Sequence, residues 1–169
     1  MTLTIRVIWL ACVVAAAYLA GCSYSFTGVA LEPDERTVLV RRFDDVGNTG
    51  RPALAQEFTE ALRDRFIRQS ALKIVGSDAD LEFQGQIIRY EVAPITITGN
   101  EQAAQNRLTM AVEVEYINHR HPRKNWKQSF EQFSDFSSTQ SLASVESGLV
   151  ADLTERLTQD IFNKALANW

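Results

Sequence analysis

The strictest constraint on the fold is a nine-residue stretch in which apolar and polar side chains alternate without a break. Its apolar members are Leu108, Met110, Val112, Val114 and Tyr116, and threonine, alanine and two glutamates lie between them. Alternation with a period of two predicts a β-strand that is buried on one face and wet on the other. A strand of this kind favours a mostly antiparallel sheet that is covered by helices on one side.

Two other stretches have helical periodicity. Pro52 suits the first turn of a helix that runs to about Gln69, and its apolar residues form a single stripe about 140° wide. A second helix is predicted from about Ser144, as the N-cap, to Ala167. The first stripe comprises Leu54, Phe58, Ala61, Leu62 and Phe66.

The apolar stripe of the second helix does not stay on one side. Its apolar residues recur every four positions, which rotates the stripe by about 200° along the helix. Ile161, Phe162, Leu166 and Trp169 are therefore expected to meet something other than the sheet. That neighbour is either the first helix with the amino-terminal segment, or a partner protein.

The remaining strands are predicted from shorter patterns at 37–43, 72–75, 81–92 and 125–133. The apolar face changes after Ile87-Ile88, which predicts a β-bulge there. Residues 44–50 are read as a turn-rich stretch and 94–105 as a long polar loop. The fold class is therefore α+β, a two-layer sandwich in the order β-α-β-β-β-β-α. Its mostly antiparallel sheet has four to five strands, and two helices pack on one face.

The first 21 residues have the pattern of a cleaved signal peptide. Arg6 precedes an apolar run that is too short to span a bilayer. The run ends in Leu19-Ala20-Gly21-Cys22, which resembles the lipobox of bacterial lipoproteins and implies a lipid on Cys22. The alternatives are an ordinary signal peptide with an incidental cysteine, or a short buried helix. We expect a cleaved leader at 1–21, a lipidated tether at 22–36 and a single α+β domain at 37–169.

The charge balance restricts the partners. The chain has a formal charge of −4, and removing Arg6 with the leader leaves 16 basic and 21 acidic residues, or −5. This balance argues against a nucleic-acid partner. Any anionic ligand must therefore meet a local basic patch.

Residues suited to catalysis or metal binding are few. His119 and His121 flank an arginine in a turn and have no predicted third ligand nearby. The paired aspartates at 44–45 and 78–80 occur in turns, where aspartate is favoured by its local backbone hydrogen bonds. The sequence predicts no enzyme, no metal site and no cofactor apart from the covalent lipid.

One turn, at 118–125, is rich in basic residues. Arg120, Arg123 and Lys124, with Lys127 beside Trp126, offer guanidinium and ammonium groups to phosphates. The alternative interpretation is a solubilised hairpin tip. Arg63, Arg65, Arg68 and Lys73 are similarly predicted to lie on the wet face and end of the first helix.

As a whole the chain resembles the lipopolysaccharide-assembly lipoprotein family LptE, and in particular its Bacteroidetes branch. The resemblance is carried by seven segments spread over the mature chain. They are GCSYSFTG at 21–28, QEFTEALRDRF at 56–66, DLEFQG at 80–85, GNE at 99–101, NRLT at 106–109, DF at 135–136 and IFNKALANW at 161–169.

The resemblance implies a protein without catalytic activity that is anchored at the outer membrane and faces the periplasm. Members of this family partner the β-barrel LptD as a plug and assembly factor, and they contact lipopolysaccharide during its export to the outer leaflet. Arg120, Arg123 and Lys124 are candidate phosphate contacts on charge alone. The alternative function is a lipoprotein subunit of another envelope machine, such as a secretion or surface-organelle complex.

Overall fold

The computed structural model describes residues 31–95 and 104–166. Six strands and two long helices follow each other in the order β-β-α-β-β-β-β-α, and a short 3₁₀ turn at Pro122–Lys124 joins the last two strands. The predicted order holds except for one additional strand of two residues, which lies in the stretch read as turns. The elements are β1 (Thr37–Val40), β2 (Asp44–Asp45), α1 (Leu54–Gln69), β3 (Lys73–Ile74), β4 (Leu81–Ile95), β5 (Gln105–Asn118), β6 (Trp126–Ser137) and α2 (Leu142–Leu166).

The strands form one mixed sheet in the order β3-β1-β4-β5-β6, with β2 paired to β4. The three long strands β4, β5 and β6 are antiparallel, whereas β1 runs parallel to both β3 and β4. Parallel neighbours need a crossover connection, and α1 supplies it between β1 and β3. The predicted α+β class is confirmed, and the sheet is mixed because of this crossover.

The β-bulge in β4 lies where the apolar pattern predicts it. The pairing of β4 with β5 shifts register between Ile87 and Arg89. On the other side of β4, the backbone N–H groups of Val46 and Gly47 both donate to the carbonyl oxygen of Ile87, at 3.1 and 2.9 Å. The bulge thus changes the face to which the side chains of the second half of β4 point, and its Ile87 carbonyl oxygen binds the segment that follows β2.

Both helices lie on the same face of the sheet. Leu54, Phe58, Leu62 and Phe66 on α1 are fully buried, as the predicted stripe requires. The expected N-cap of α2 is wrong, because the helix begins at Leu142 and Ser144 lies inside its first turn. The backbone N–H of Ser144 donates to the carbonyl oxygen of Ser141, so the first turn closes before the predicted cap.

The carboxyl-terminal half of α2 packs against α1. Ile161, Phe162 and Leu166 are buried in the core, and the rings of Phe162 and Phe66 lie 5.4 Å apart. Of the two neighbours expected for this end of the stripe, the first helix is the observed one. Trp169 lies outside the described residues.

The prediction that Arg65 lies on the wet face of α1 is wrong, because its side chain is only 1% exposed. Its guanidinium crosses to α2, where it donates to the Thr158 hydroxyl at 3.0 Å and to the Glu155 carbonyl oxygen at 2.9 Å. Gln159 accepts a further bond, and the Glu155 carboxylate lies 2.7 Å away. Because α2 accepts bonds from most of its donors, burial does not leave this guanidinium without hydrogen-bond partners.

The uncovered face of the sheet is polar and internally paired. Arg107 bonds the Asp135 carboxylate through two nitrogens, at 2.7 and 2.9 Å, and its guanidinium lies 3.7 Å above the Phe133 ring. Lys127 lies 2.8 Å from Glu113 on neighbouring strands. In the described part of the chain, no helix has the length and apolarity needed to cross a membrane.

Candidate functional site

The basic turn forms the tip of the β5–β6 hairpin and is organised by two asparagines. The backbone N–H of Asn118 donates to the side-chain oxygen of Asn125 at 2.7 Å. The side-chain oxygen of Asn118 accepts the backbone N–H groups of Arg120 and His121, at 3.0 and 2.7 Å. Because Asn118 is fully buried, these bonds fix the direction in which the tip presents its cations.

The three predicted phosphate contacts lie on this tip but differ in their surroundings. Arg120 bonds the Asp80 carboxylate at 2.6 Å, and Lys124 bonds the Glu32 carboxylate at 2.9 Å. Arg123 lies on the exposed 3₁₀ turn and makes no ion pair with any residue in the ranges 31–95 and 104–166. The structure therefore brings the three cations to one end of the molecule and supplies carboxylate partners for two of them.

Asp80 connects this tip to the start of β1. Its carboxylate accepts the backbone N–H groups of Arg36 and Thr37, both at 3.0 Å, and the Thr37 hydroxyl at 2.8 Å. The N–H of Arg36 and the Thr37 hydroxyl are the main causes that hold the pKa of Asp80 well below its usual range. With Arg120 as a further partner, one carboxylate joins the start of β1, the turn before β4 and the hairpin.

Residues 32–35 also bind to the tip, through acidic side chains. His121 Nε2 lies 3.1 Å from Asp34 Oδ1, and Lys124 Nζ lies 3.7 Å from Glu35 Oε1. Glu35 is only 5% exposed, and its carboxylate accepts the side-chain N–H of Asn118 at 2.7 Å. We call this set the amino-terminal clasp. It comprises Glu32, Asp34, Glu35, Asn118, His121 and Lys124.

The clasp shifts the titration of its exposed members in the directions expected for ion pairs. The hydrogen bond with Lys124 lowers the pKa of Glu32, and the same bond raises the pKa of Lys124. The bond with His121 lowers the pKa of Asp34. The clasp is therefore favoured while its carboxylates are ionised.

The two histidines of the turn do not converge on a common point. His119 Nε2 lies 3.0 Å from Glu82, which Arg41 also bonds, whereas His121 faces Asp34. Arg41 is the larger cause of the lowered pKa of Glu82. Within residues 31–95 and 104–166, no three histidine, cysteine, aspartate or glutamate side chains are arranged to hold a metal ion.

A cleft of about 530 Å³ opens beside the tip. Asp78, Asp80 and Glu82 line it together with Arg41, His119 and Arg120. Because Asp80 and Glu82 are already bonded to cations in the cleft wall, the lining is close to neutral and locally satisfied. Its arrangement suits a structural junction better than a catalytic pair.

Three residues shape this end of the molecule, namely Asp80, Asn118 and Glu35. The prediction that Asp80 makes only local hydrogen bonds within a turn is wrong, because it bonds Arg36 and Thr37, and the sequence patterns do not single out Asn118 or Glu35. Asp80 is the first residue of DLEFQG, one of the segments that carry the family resemblance. Its place in that segment was the sequence signal that could have pointed to Asp80. Cys22 lies outside the described residues, as do Gly99, Asn100 and Glu101.

A comparison with protein families matches residues 36–165 to the model described as "LptE: Lipopolysaccharide-assembly". The match spans about three quarters of the chain and includes the hairpin, α1, all of α2 except Leu166, and the six strands of the described residues. A comparison of the sequence with those of curated proteins gives no match.

Two solved structures share the fold at low sequence identity. A minor lipoprotein from Acinetobacter baumannii aligns with 10% identity and a TM-score of 0.51, over 77% of this chain and 91% of the other. Lipoprotein B from Nitrosomonas europaea aligns with 13% identity and a TM-score of 0.53, over 84% and 88% of the two chains. At these identities the likeness concerns the fold alone.

Proposed function

Because this chain belongs to the LptE family of lipopolysaccharide-assembly proteins, we propose that it is the lipoprotein partner of an LptD-like β-barrel in the outer membrane. In this role it acts on the periplasmic side, as a plug and assembly factor for the barrel during export of lipopolysaccharide to the outer leaflet. The family match over residues 36–165 is the observation that carries the proposal. In this role the chain carries out no catalytic step and uses no cofactor.

Attachment through Cys22 is the second part of the proposal. Signal peptidase would remove residues 1–21, and acyl chains on Cys22 would hold the mature protein at the membrane. The distance from Cys22 to Leu31 is at most about 32 Å when the chain is fully extended. Since Glu32 is bonded to Lys124, the anchor would keep the basic hairpin tip near the membrane surface.

The hairpin tip is the proposed contact for lipopolysaccharide phosphates. Arg123 would bind first, because its guanidinium is exposed and has no carboxylate partner among the described residues. Arg120 and Lys124 would bind by exchanging Asp80 and Glu32 for phosphate oxygens. The amount of lipopolysaccharide that co-purifies should therefore fall more for Arg123→Glu than for Arg68→Glu, an exposed arginine on α1.

Co-purification tests the partnership. The full chain, extracted from membranes in a mild nonionic detergent, should bring down a large β-barrel protein in about equal amount. The variant Cys22→Ser should keep its leader and lose the attached lipid, as measured by mass spectrometry of the amino-terminal peptide. Recovery of the wild-type protein alone, in an extract where the barrel is intact, would contradict the partnership.

Depletion separates this function from a role in another envelope machine. Loss of the protein should reduce lipopolysaccharide on the cell surface and leave assembled barrels scarce in the outer membrane. If the amount of surface lipopolysaccharide stayed the same and one secretion or surface-organelle system were lost, the result would instead favour a role in that other envelope machine.

A further inference from the structure

A further cleft, which has no hairpin residue in its wall, lies beyond the carboxyl ends of β1 and β3. These two strands are parallel, so their carboxyl ends meet at the same edge of the sheet. The cleft has a volume of about 480 Å³. Its lining includes Arg41, Arg42 and Arg63, and the aliphatic side chains of Leu39, Ile74 and Val75.

The charge of this cleft differs from that of its neighbours. Three arginines line it, and no aspartate or glutamate is among the lining residues. The cleft beside the hairpin has three carboxylates in its wall. A third cleft, of about 290 Å³ on the open sheet face, has Asp44, Glu113 and Glu115 beside three cations, two of which are Arg41 and Arg42. Of the three, the cleft at the ends of β1 and β3 is the one with no carboxylate among the described residues of its own wall.

The three guanidiniums retain donors for a ligand. Arg42 is exposed and pairs with no carboxylate in the described part of the chain. Arg63 is held in place, because its Nε and Nη2 atoms donate to the Val40 carbonyl oxygen at 3.2 and 2.8 Å and its Nη1 atom donates to the Glu60 carboxylate at 2.8 Å. Arg41 bonds Glu82 through Nε, so both of its terminal nitrogens lack a bond to the described residues. The cleft thus presents one exposed arginine without a carboxylate partner among the described residues, and two arginines that Glu82 and Glu60 hold in position.

The rest of the lining is apolar. Leu39, Ile74 and Val75 are each partly exposed beside the arginines, and Gly76 adds no side chain. Guanidinium groups suit the oxygens of phosphate, whereas partly exposed aliphatic side chains suit a hydrocarbon chain. A purely polar anion would leave the apolar part of the lining in water.

We propose that this cleft binds a phosphate monoester carried on an apolar chain, with Arg42 and Arg41 on the phosphate and Leu39 and Ile74 beside the chain. The site lies outside the hairpin and does not depend on the lipopolysaccharide contact assigned to Arg123. Its defining ligand chemistry is a doubly charged head next to hydrocarbon.

The test uses the full chain, labelled with ¹⁵N, in dodecyl maltoside micelles. Dodecyl phosphate is titrated into the micelles, inorganic phosphate is titrated in a parallel experiment, and the amide signals of Val75 and Gly76 are followed. We expect dodecyl phosphate to move these signals and to bind at least about tenfold more tightly than inorganic phosphate. Arg42→Gln should weaken the binding about tenfold, the loss of roughly one charge-assisted hydrogen bond.

Two matched variants keep the result specific. Arg68→Gln removes an exposed arginine in the last turn of α1 that lines a different cleft, and Arg123→Gln removes the hairpin arginine that lacks an ion pair among the described residues, so both should leave the titration of Val75 and Gly76 unchanged. Equal binding of inorganic phosphate would overturn the amphiphile assignment. Equal weakening by Arg68→Gln, or no effect of Arg42→Gln, would overturn the site. Barrel co-purification should be normal for Arg42→Gln, so failure of the proposed function would be recognised separately.

Discussion

Gly85 lies on β4, against the backbone of β5 and the ring of Phe43. A Cβ atom at this position would come 2.2 Å from the carbonyl oxygen of Glu113 and 2.7 Å from Phe43 Cε1. The first neighbour is backbone in a paired strand, so it cannot move aside without disturbing the ladder. We expect Gly85→Ala to lower the free energy of unfolding by about 2–3 kcal/mol, measured by urea denaturation.

Gly148 is the matched control for this substitution. It lies inside α2, and a Cβ atom there would meet nothing within 4 Å. Alanine is favoured over glycine in a helix, so Gly148→Ala should raise the free energy of unfolding by about 1 kcal/mol. Equal effects of the two substitutions would contradict the steric explanation.

Asp80 makes stability depend on pH in a defined direction. The N–H of Arg36 and the Thr37 hydroxyl lower the pKa of its carboxyl in the folded state. Such a carboxyl contributes stability above its unfolded pKa of about 3.9, and the contribution is lost as the pH falls through the folded-state pKa. Asp80→Asn should therefore be less stable than the wild type at pH 7, and the difference should shrink below about pH 4.

Urea denaturation over a series of pH values measures this effect. Asp78→Asn is the control, because Asp78 is exposed and has a backbone φ of 52°, which asparagine also adopts readily. A stability difference for Asp80→Asn that stayed constant from pH 7 to pH 3 would contradict the assigned role of the ionised carboxylate.

At the scale of elements, Arg65 joins the two helices across their interface. Its side chain reaches Thr158, Gln159 and the backbone of Glu155 on α2. Arg65→Met should keep much of the volume but remove these bonds, and we expect a loss of about 2–3 kcal/mol in the free energy of unfolding. Arg65→Lys should not restore stability, because one ammonium group cannot reproduce the planar fork.

Arg68→Met is the control for the helix interface. Arg68 is 61% exposed and lies 3.7 Å from Asp64 on the same helix, so its removal should change stability by less than about 0.5 kcal/mol. Thermal unfolding of the three variants would measure the contrast. A loss as large for Arg68→Met as for Arg65→Met would contradict a specific clamp.

The elements that the sequence predicts correctly are those with a long local period. The alternation through Tyr116 and the change of face after Ile87 are local patterns, so they predict β5 and the bulge in β4. Arg65 was misplaced because a helical stripe assigns every charge to water, whereas its partners lie 90 to 94 residues further along the chain. The two residues of β2 are too few to form a period.

At the scale of the whole molecule, the hairpin shows again that local sequence patterns do not predict contacts between residues far apart in the chain. The clustering of Arg120, Arg123 and Lys124 is visible in the sequence because they are near neighbours. Their carboxylate partners cannot be recognised in the sequence, because Asp80 precedes Arg120 by 40 residues and Glu32 precedes Lys124 by 92. Charge alone therefore predicted a basic surface, whereas the fold places an acidic segment against it.

The amino-terminal clasp determines where the chain enters the domain, and so where a lipid anchor would pull on it. Glu35 is the buried member, with a bond of 2.7 Å from the side chain of Asn118. Glu35→Ala should leave that amide short of a partner and loosen the segment before β1. We expect amide hydrogen exchange at Arg36 and Thr37 to accelerate about tenfold, the equivalent of ~1.4 kcal/mol in local opening.

Glu32→Gln is the control for the clasp, because its pair with Lys124 is exposed on both sides and such pairs contribute little. Exchange at Arg36 and Thr37 should then stay near the wild-type rate, and exchange at Val112 in the core should be slow in both variants. If Glu35→Ala accelerated exchange equally at Val112 and Thr37, the segment would open only with the whole domain. The clasp would then be part of the global fold and could not act as a separate connection between the anchor and the sheet.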